Sequence, residues 1–510
     1  MSHCFLPSFK RLKMEIISAV VAWGLAAVCQ DSATPQWLAP VCPRNTATEL
    51  ASRLSASAQI YGPGSDGYTE ATSRWSVFEA PNINLVAVPG TEDDVAEIVK
   101  YANLKNIPFI AVSGGHGAIT TESRVKGGIE IWMHQLNNVE IEGSSARIGG
   151  GALTKTVSHA LWAAGKQTVT GGCECTSILG PGLGGGHGLL QGRHGLVSDQ
   201  FIAMDIVLAS GEKRTIDETS DLWWAIQGAG HNFGIVTSVT VRTYDVEYPD
   251  WAYEMFTFTS DKIEGLYENL NIHLLNNGSP PVDIVNYGFF MNVPEMDSNP
   301  IAFFWILQEG SNSVDSAYTK VFHDLGPATT GAGSGTYLDV PRWIGWDDDA
   351  APCKHSGLAN IRFPVDIQSY NIQSMREVYN MFADVTRKTP ELNGSIFLFE
   401  GYSLKGVKDV PRESTAFPFR DDNILVAPVI SWVPSSRDIA QKATDFGKGL
   451  RKILHDGTGR PELHCYVNYA FGDETPKNWY GYEPQRQQRL LELKQKYDPD
   501  HKFSFYAPIA

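Results

Sequence analysis

Cysteine is scarce, seven in 510 residues, so no disulfide scaffold holds this chain together and stability must come from a hydrophobic core. Positive charge is in deficit as well. Lys and Arg total 41 against 57 Asp and Glu, a formal charge of −16, whereas proteins that grip a phosphate backbone concentrate cations to release its counterions. Nucleic acid is therefore not an expected partner. No apolar run reaches the about 20 residues of a bilayer span, so no stable membrane anchor is expected. Internal repeats are missing, and no segment is simple enough in composition to be called disordered. What remains is 43% hydrophobic and 19% charged, with 48 glycines and 28 prolines: a turn-rich globular chain too long for one compact domain.

At the N-terminus, Lys10, Arg11 and Lys13 precede "MEIISAVVAWGLAAVC". A basic flank before about a dozen apolar residues, with small residues near their end, reads as a signal peptide over residues 1–30, and the chain is expected to be secreted or to reside in a secretory lumen. Asn277-Gly278-Ser279 and Asn393-Gly394-Ser395 would be glycosylation acceptors there. Cleavage near Cys29 or Gln30 leaves Cys42, Cys173, Cys175, Cys353 and Cys465, an odd set in which one cysteine is expected free or covalently modified.

From Leu85 the pattern is strand, helix, strand. "LVAVP" is a short apolar strand; Thr91 caps a helix whose first turn carries Glu92, Asp93 and Asp94; Val95, Ile98, Val99 and Ala102 recur at helical spacing; "NIP" stops the helix before the strand "FIAV". Strands "IEIW", "ARIGGG" and "IAMDIV", a helix over residues 153–164 and the β-branched "GIVTSVTVRTY" continue this lobe. From Trp251 the composition shifts to aromatic strand runs such as "IAFFWIL" and "SIFLFEGY", a second lobe. The tail, residues 489–503, reads as a helix with Leu490, Leu493 and Tyr497 on one face, stopped before Pro499.

Three glycine-rich loops fall in the first lobe: "SGGHGA" from Ser113, "GGCECTSILGPGLGGGHGLLQGRHG" from Gly171, and "GAGHNFG" from Gly228. Such turns expose consecutive backbone N–H groups that nest a pyrophosphate, so a nucleotide cofactor is expected. Gly180 to Gly185 fits G-x-G-x-x-G, but the stretch before it is a poor strand and the one after it too glycine-rich to open a dinucleotide-type helix, so a Rossmann fingerprint is rejected. Cys173 and Cys175 with His187, His194 and His231 lack the second pair a zinc site needs, and no metal is expected. His116, flanked by Gly115 and Gly117, is sterically open to attachment or contact.

"LVAVPGTEDDVAEIVKYANLKNIPFIAVSGGHG", the loop from Gly171 to Asp199, "HNFGIVTSVTVRTY" and the tail "YVNY…YDPDHKF" together resemble the FAD-linked oxidases of the berberine-bridge-enzyme type, in the vanillyl-alcohol oxidase superfamily. The resemblance implies an α+β, two-lobed fold: a PCMH-type FAD-binding domain over residues 75–250, a substrate-binding domain over 251–456 built on an antiparallel sheet flanked by helices, and a C-terminal segment, 457–510, returning to the FAD domain. It implies that His116 bonds covalently to the flavin 8α-methyl carbon, that Val112, Ser113, Gly114, Gly115, Gly117 and Ala118 line FAD, and that Gly172, Cys175, Ser177, Gly180, Gly182, Gly185, Val236 and Asn468 contribute to the cofactor site. Relatives that carry a second, cysteinyl link have the cysteine four residues before the glycine that corresponds to Gly180. Thr176 stands there, so a single linkage through His116 is expected.

The resemblance to relatives with a base glutamate just before the strand's tryptophan also fails, since Ser431 precedes Trp432; the base is then Tyr469 or Glu400, or is unnecessary. The expected function is a secreted oxidase that passes a hydride from an alcohol, sugar or specialised metabolite to FAD, with O2 as acceptor and H2O2 as product. Trp251, Phe289, Phe290, Trp305, Trp343 and Trp346 favour a hydrophobic metabolite. Two alternatives stand beside it: structural FAD in a protein that cyclises a polyketide-like ligand without net redox change, and a flavin-free extracellular binding protein.

Overall fold

The computed structural model describes residues 43–510, so the expected signal peptide and Cys42 lie outside the described residues. Strands Ile83–Val88, Phe109–Val112 and Gly128–Trp132 form a parallel set, with Gln59–Tyr61 antiparallel on its edge. The helix between the first two, Glu92–Lys105, begins as its sequence demands: Thr91 accepts from the Asp94 N–H, and the Asp94 carboxylate accepts from the Thr91 N–H. Val95, Ile98, Val99 and Ala102 are fully buried. Asn106, in a left-handed conformation at φ 51°, ends the helix and turns the chain into Phe109–Val112. That strand stops at Ser113, so the first glycine loop emerges where a parallel sheet characteristically holds its ligands, at the carboxyl ends of its strands.

A second sheet of five antiparallel strands includes Ser145–Gly149, Phe201–Val207 and Ile235–Arg242. The third, running from residue 250 to residue 432, has eight strands, all antiparallel. Its two faces differ because side chains alternate along each strand. Phe290, Phe304, Phe397 and Phe399 share a core with Phe382 of helix Ile372–Lys388 and Phe446 of helix Arg437–Thr458; each fully buried side chain of this size contributes about 1.5–3 kcal/mol. The alternate residues, Tyr287, Trp305 and Leu398 among them, join the core of the first lobe. One sheet thus walls both its own helices and the space facing the glycine loops.

The tail helix runs Pro484–Tyr497, starting earlier than the sequence suggests because Pro484 takes its first turn. Leu490 and Leu493 are buried as expected, and Ile509 N donates to Asn232 Oδ1, fastening the C-terminus to the first lobe. Cys175 and Cys353 form a disulfide; Cys173 and Cys465 are free thiols. No helix among the described residues is long and apolar enough to cross a membrane. Asn277 and Asn393 are exposed.

Candidate active site

A cavity of about 390 Å³ opens where the glycine loops meet the eight-stranded sheet. One wall is backbone: Val112 to Gly117, Gly150, Gly171, Gly172, Ser177, Gly180, Gly234 and Val236. Several of these glycines are required by contact, Gly114 and Gly172 among them. A Cβ on Gly114 would stand 2.6 Å from the Cys175 carbonyl oxygen, and one on Gly172 would stand 2.4 Å from the Trp346 ring. Gly115 adopts φ +67°, which a side chain would disfavour. Ser113 Oγ donates to Gly150 O at 2.9 Å and Gly180 N–H to Ser177 Oγ at 2.9 Å, pinning the two loops. Asn468 Nδ2 donates to Pro181 O at 2.8 Å and to Tyr466 Oη at 2.7 Å, so the tail holds the second loop from the far side.

His116 stands on this wall with its Nε2 buried and without a hydrogen-bond partner. Burial is the first cause, and the nearby Arg362 charge the second, that lower its pKa to about 3, so the imidazole is neutral. A wall of bare glycine backbone, beside a neutral ring nitrogen with nothing to bond, fits FAD.

The opposite wall is the sheet face carrying Tyr287, Ile396, Leu398, Glu400 and Val429. Glu400 therefore faces inward, set by alternation with buried Phe397 and Phe399. Tyr469 Oη donates to Glu400 Oε1 at 2.9 Å, and Tyr402 Oη donates to the other carboxylate oxygen. Burial pushes the Glu400 pKa up, with the two hydroxyls and Arg362 pulling the other way. Burial likewise holds the Tyr469 phenol well above its ordinary value, Glu400 adding to the shift and Arg362 opposing it. Trp346 Nε1 donates to Tyr287 Oη at 3.1 Å across the cavity mouth.

Four residues expected at the cofactor lie off the cavity wall. Ala118 packs with Trp75 and Val429 in a small core. Gly182 and Gly185 serve packing: a Cβ on them would meet the Phe201 ring at 2.9 Å and the Phe417 ring at 2.4 Å. The Cys175 sulfur points into its disulfide with Cys353. Of the six aromatics taken to favour a hydrophobic substrate, Trp346 alone is on the wall; Trp251, Phe290 and Trp305 are buried core. Ser431 donates to Asn360 Oδ1 at 2.7 Å and takes no place in the cavity.

Sequence reasoning missed Tyr402, Arg362 and Glu122. Tyr402 could have been found, since two positions beyond Glu400 lies the same strand face. Arg362 interrupts the apolar run "IRFPV", a faint signal. Glu122, against Gly117 and raised by burial to about 7, had none.

The arrangement defines a flavin-dependent oxidoreductase. The FAD binding domain family matches residues 83–217, and the "Berberine and berberine like" family matches residues 465–510. The FAD-linked oxidoreductase chyH of Penicillium rubens is 49% identical over 503 residues, covering 98% of this chain and 100% of that protein. The FAD-linked oxidoreductase chry5 of Gibberella zeae is 49% identical over 476 residues, covering 90% and 94%. Among solved structures, Physcomitrella patens BBE-like 1 superposes with a TM-score of 0.77 at 21% identity, covering 91% of this chain and 99% of that one. A chitooligosaccharide oxidase does so with a TM-score of 0.75 at 19% identity, covering 92% and 99%. The chain belongs to the berberine-bridge-type FAD-linked oxidoreductases; it is an enzyme that uses FAD, and a flavin-free binding protein is excluded.

Proposed function

We propose that this enzyme is a secreted oxidase that oxidises an alcohol, sugar or specialised metabolite with FAD held covalently through His116. The observation that carries the reading is the hydrogen-bonded trio Tyr469–Glu400–Tyr402 on the wall facing the glycine cradle. FAD held by the glycine loops and His116 would supply the redox chemistry, a two-electron oxidation of the substrate with O2 as final acceptor and H2O2 as product.

The chain's own residues handle the other proton. Tyr469 Oη accepts it from the substrate hydroxyl or amine while passing its own proton to Glu400 Oε1, so the phenol is a relay and the carboxylate is the base. Tyr402 fixes the second carboxylate oxygen and so the direction in which the first points. The Arg362 guanidinium, 4.7 Å from the centre of the Tyr469 ring, lowers the cost of transient negative charge on that ring. Ile396, Leu398 and Val429 keep this region apolar, which strengthens each of these interactions.

Attachment through His116 is supported by its neutral, unpartnered Nε2. Thr176 occupies the position of the second linkage in doubly attached relatives, and Cys175 is committed to Cys353, so one link is proposed. Secretion is supported by the basic and apolar N-terminus together with the Cys175–Cys353 disulfide, which suits an oxidising compartment. Exposed Asn277 and Asn393 are open to glycans there. The test is anaerobic mixing of the purified protein with candidate alcohols, sugars and metabolites, followed by H2O2 measurement in air. Conversion of a compound that never bleaches the flavin would replace this reading with a structural cofactor.

A further inference from the structure

Arg362 is a cation without an ion-pair partner among the described residues. It ends strand Ala359–Arg362, opposite Val429, which in turn pairs with Ile396; the three form a row across the sheet face that lines the cavity. Its guanidinium lies 4.0 Å from the centre of the Trp75 ring and 4.7 Å from that of Tyr469. These ring contacts use none of its five N–H donors. Its guanidinium makes no hydrogen bond or ion pair with any described residue.

The other charged groups of the cavity do not serve it. Arg74 is paired with buried Glu130. The Glu400 carboxylate is within electrostatic reach of Arg362 but beyond ion-pair distance, and both its oxygens are taken by tyrosine hydroxyls. Glu122, also on the wall, makes no ion pair with Arg362. Lys502 belongs to the other end: its neighbour Phe503 meets Phe109 at the start of the strand whose far end carries the glycine loop. Trp75, beneath Arg362, instead bonds Gly115 O through its backbone N–H. An arginine lying over two rings, its guanidinium without a hydrogen bond or ion pair among the described residues, can receive a planar anion bidentately.

We propose that Arg362 is a specificity-determining residue that binds an anionic oxygen pair on the substrate, a carboxylate or a comparable delocalised anion, and so orients the substrate's oxidisable group toward Tyr469. The inference rests on the cavity being the oxidation site proposed above, and it narrows the substrate class to anions. Neutral alcohols and unmodified sugars are disfavoured, because they would leave the guanidinium desolvated and unpaired.

Binding to the purified holoprotein, which needs no turnover, tests it. Acetate, benzoate, phenylacetate and cinnamate, and the amide of each, are titrated while calorimetry and the flavin absorbance are followed. At least one acid should bind ten- to a hundred-fold more tightly than its amide; Arg362→Gln should abolish that preference, and Arg362→Lys should retain part of it. Flavin content and circular dichroism check that the variants are folded; if Arg362→Gln does not fold, the acid–amide comparison on the wild type decides. Equal binding of acids and amides, or no acid binding below about 10 mM, overturns the proposal. So does an acid preference that survives Arg362→Gln, or loss of flavin from a folded Arg362→Gln, which would assign the charge to the cofactor. A protein that shows the preference yet never reduces its flavin would instead sink the oxidase reading and leave the anion site standing.

Discussion

Tyr469 Oη lies 2.9 Å from Glu400 Oε1, although the tyrosine belongs to the C-terminal segment and the glutamate to strand Ile396–Gly401 of the eight-stranded sheet. Two parts of the chain distant in sequence therefore share one proton at the cavity wall. Glu400→Gln and Tyr469→Phe should each keep the bound-flavin spectrum and slow flavin reduction by about 10²–10⁴-fold. Because both residues handle the same proton, the double variant should be little slower than the slower single one. Stopped-flow reduction of the three variants measures this; losses that multiply would separate the two residues into independent roles.

The pH dependence follows from burial. Glu400 is held above the ordinary carboxylate range, so as pH falls the pair gains its extra proton earlier than a solvated glutamate would. The base must be ionised to act, so flavin reduction should rise with pH through an apparent pKa above 4.5 that belongs to the coupled pair. Glu400→Gln should remove that limb. A limb that persists unchanged in Glu400→Gln would come from a different group.

Most of the fold was legible because local signals agreed with each other. Thr91, the acidic first turn and the apolar spacing of the helix all pointed one way, and the glycine loops announced a backbone cradle. The inward face of Glu400 was not readable, since strand alternation leaves two choices until Phe397 and Phe399 are seen packed on helices of the other side. Arg362 was missed for a related reason: its role depends on Trp75 and Tyr469, which are remote in sequence and meet only in the fold. Gly182 and Gly185 lie off the cavity wall, against Phe201 and Phe417, a placement the sequence does not distinguish from that of the wall glycines.

His116 gives a test of cofactor attachment that is independent of activity. With a buried, neutral and unpartnered Nε2 it is available for bonding. The yellow colour should stay with the polypeptide through acid precipitation, and His116→Ala should release it to the supernatant. Flavin that washes out of the denatured wild type would refute covalent attachment, and flavin found on Cys173 by peptide mapping would refute the single link.

The three sulfurs beside the cavity make the last prediction. Cys175 and Cys353 are bonded across a sequence separation of 178, fastening the second glycine loop to the segment that follows Trp346. Breaking such a long closure should cost about 2–4 kcal/mol. Cys173 Sγ lies 3.5 Å from Cys175 Sγ and 3.6 Å from Cys353 Sγ, with its thiol pKa pushed up to about 11 by burial. The wild type should therefore keep Cys173 reduced and slow to alkylate at pH 8. Cys353→Ser removes the partner of both neighbours and should lose the whole contribution. Cys175→Ser leaves Cys353 within reach of Cys173, which should take over the bridge under oxidising conditions and recover part of the stability. Thermal unfolding of the two variants, with non-reducing peptide maps, distinguishes these outcomes: equal destabilisation with Cys173 still a thiol would show that the backbone at Cys173 cannot adjust to form the bond.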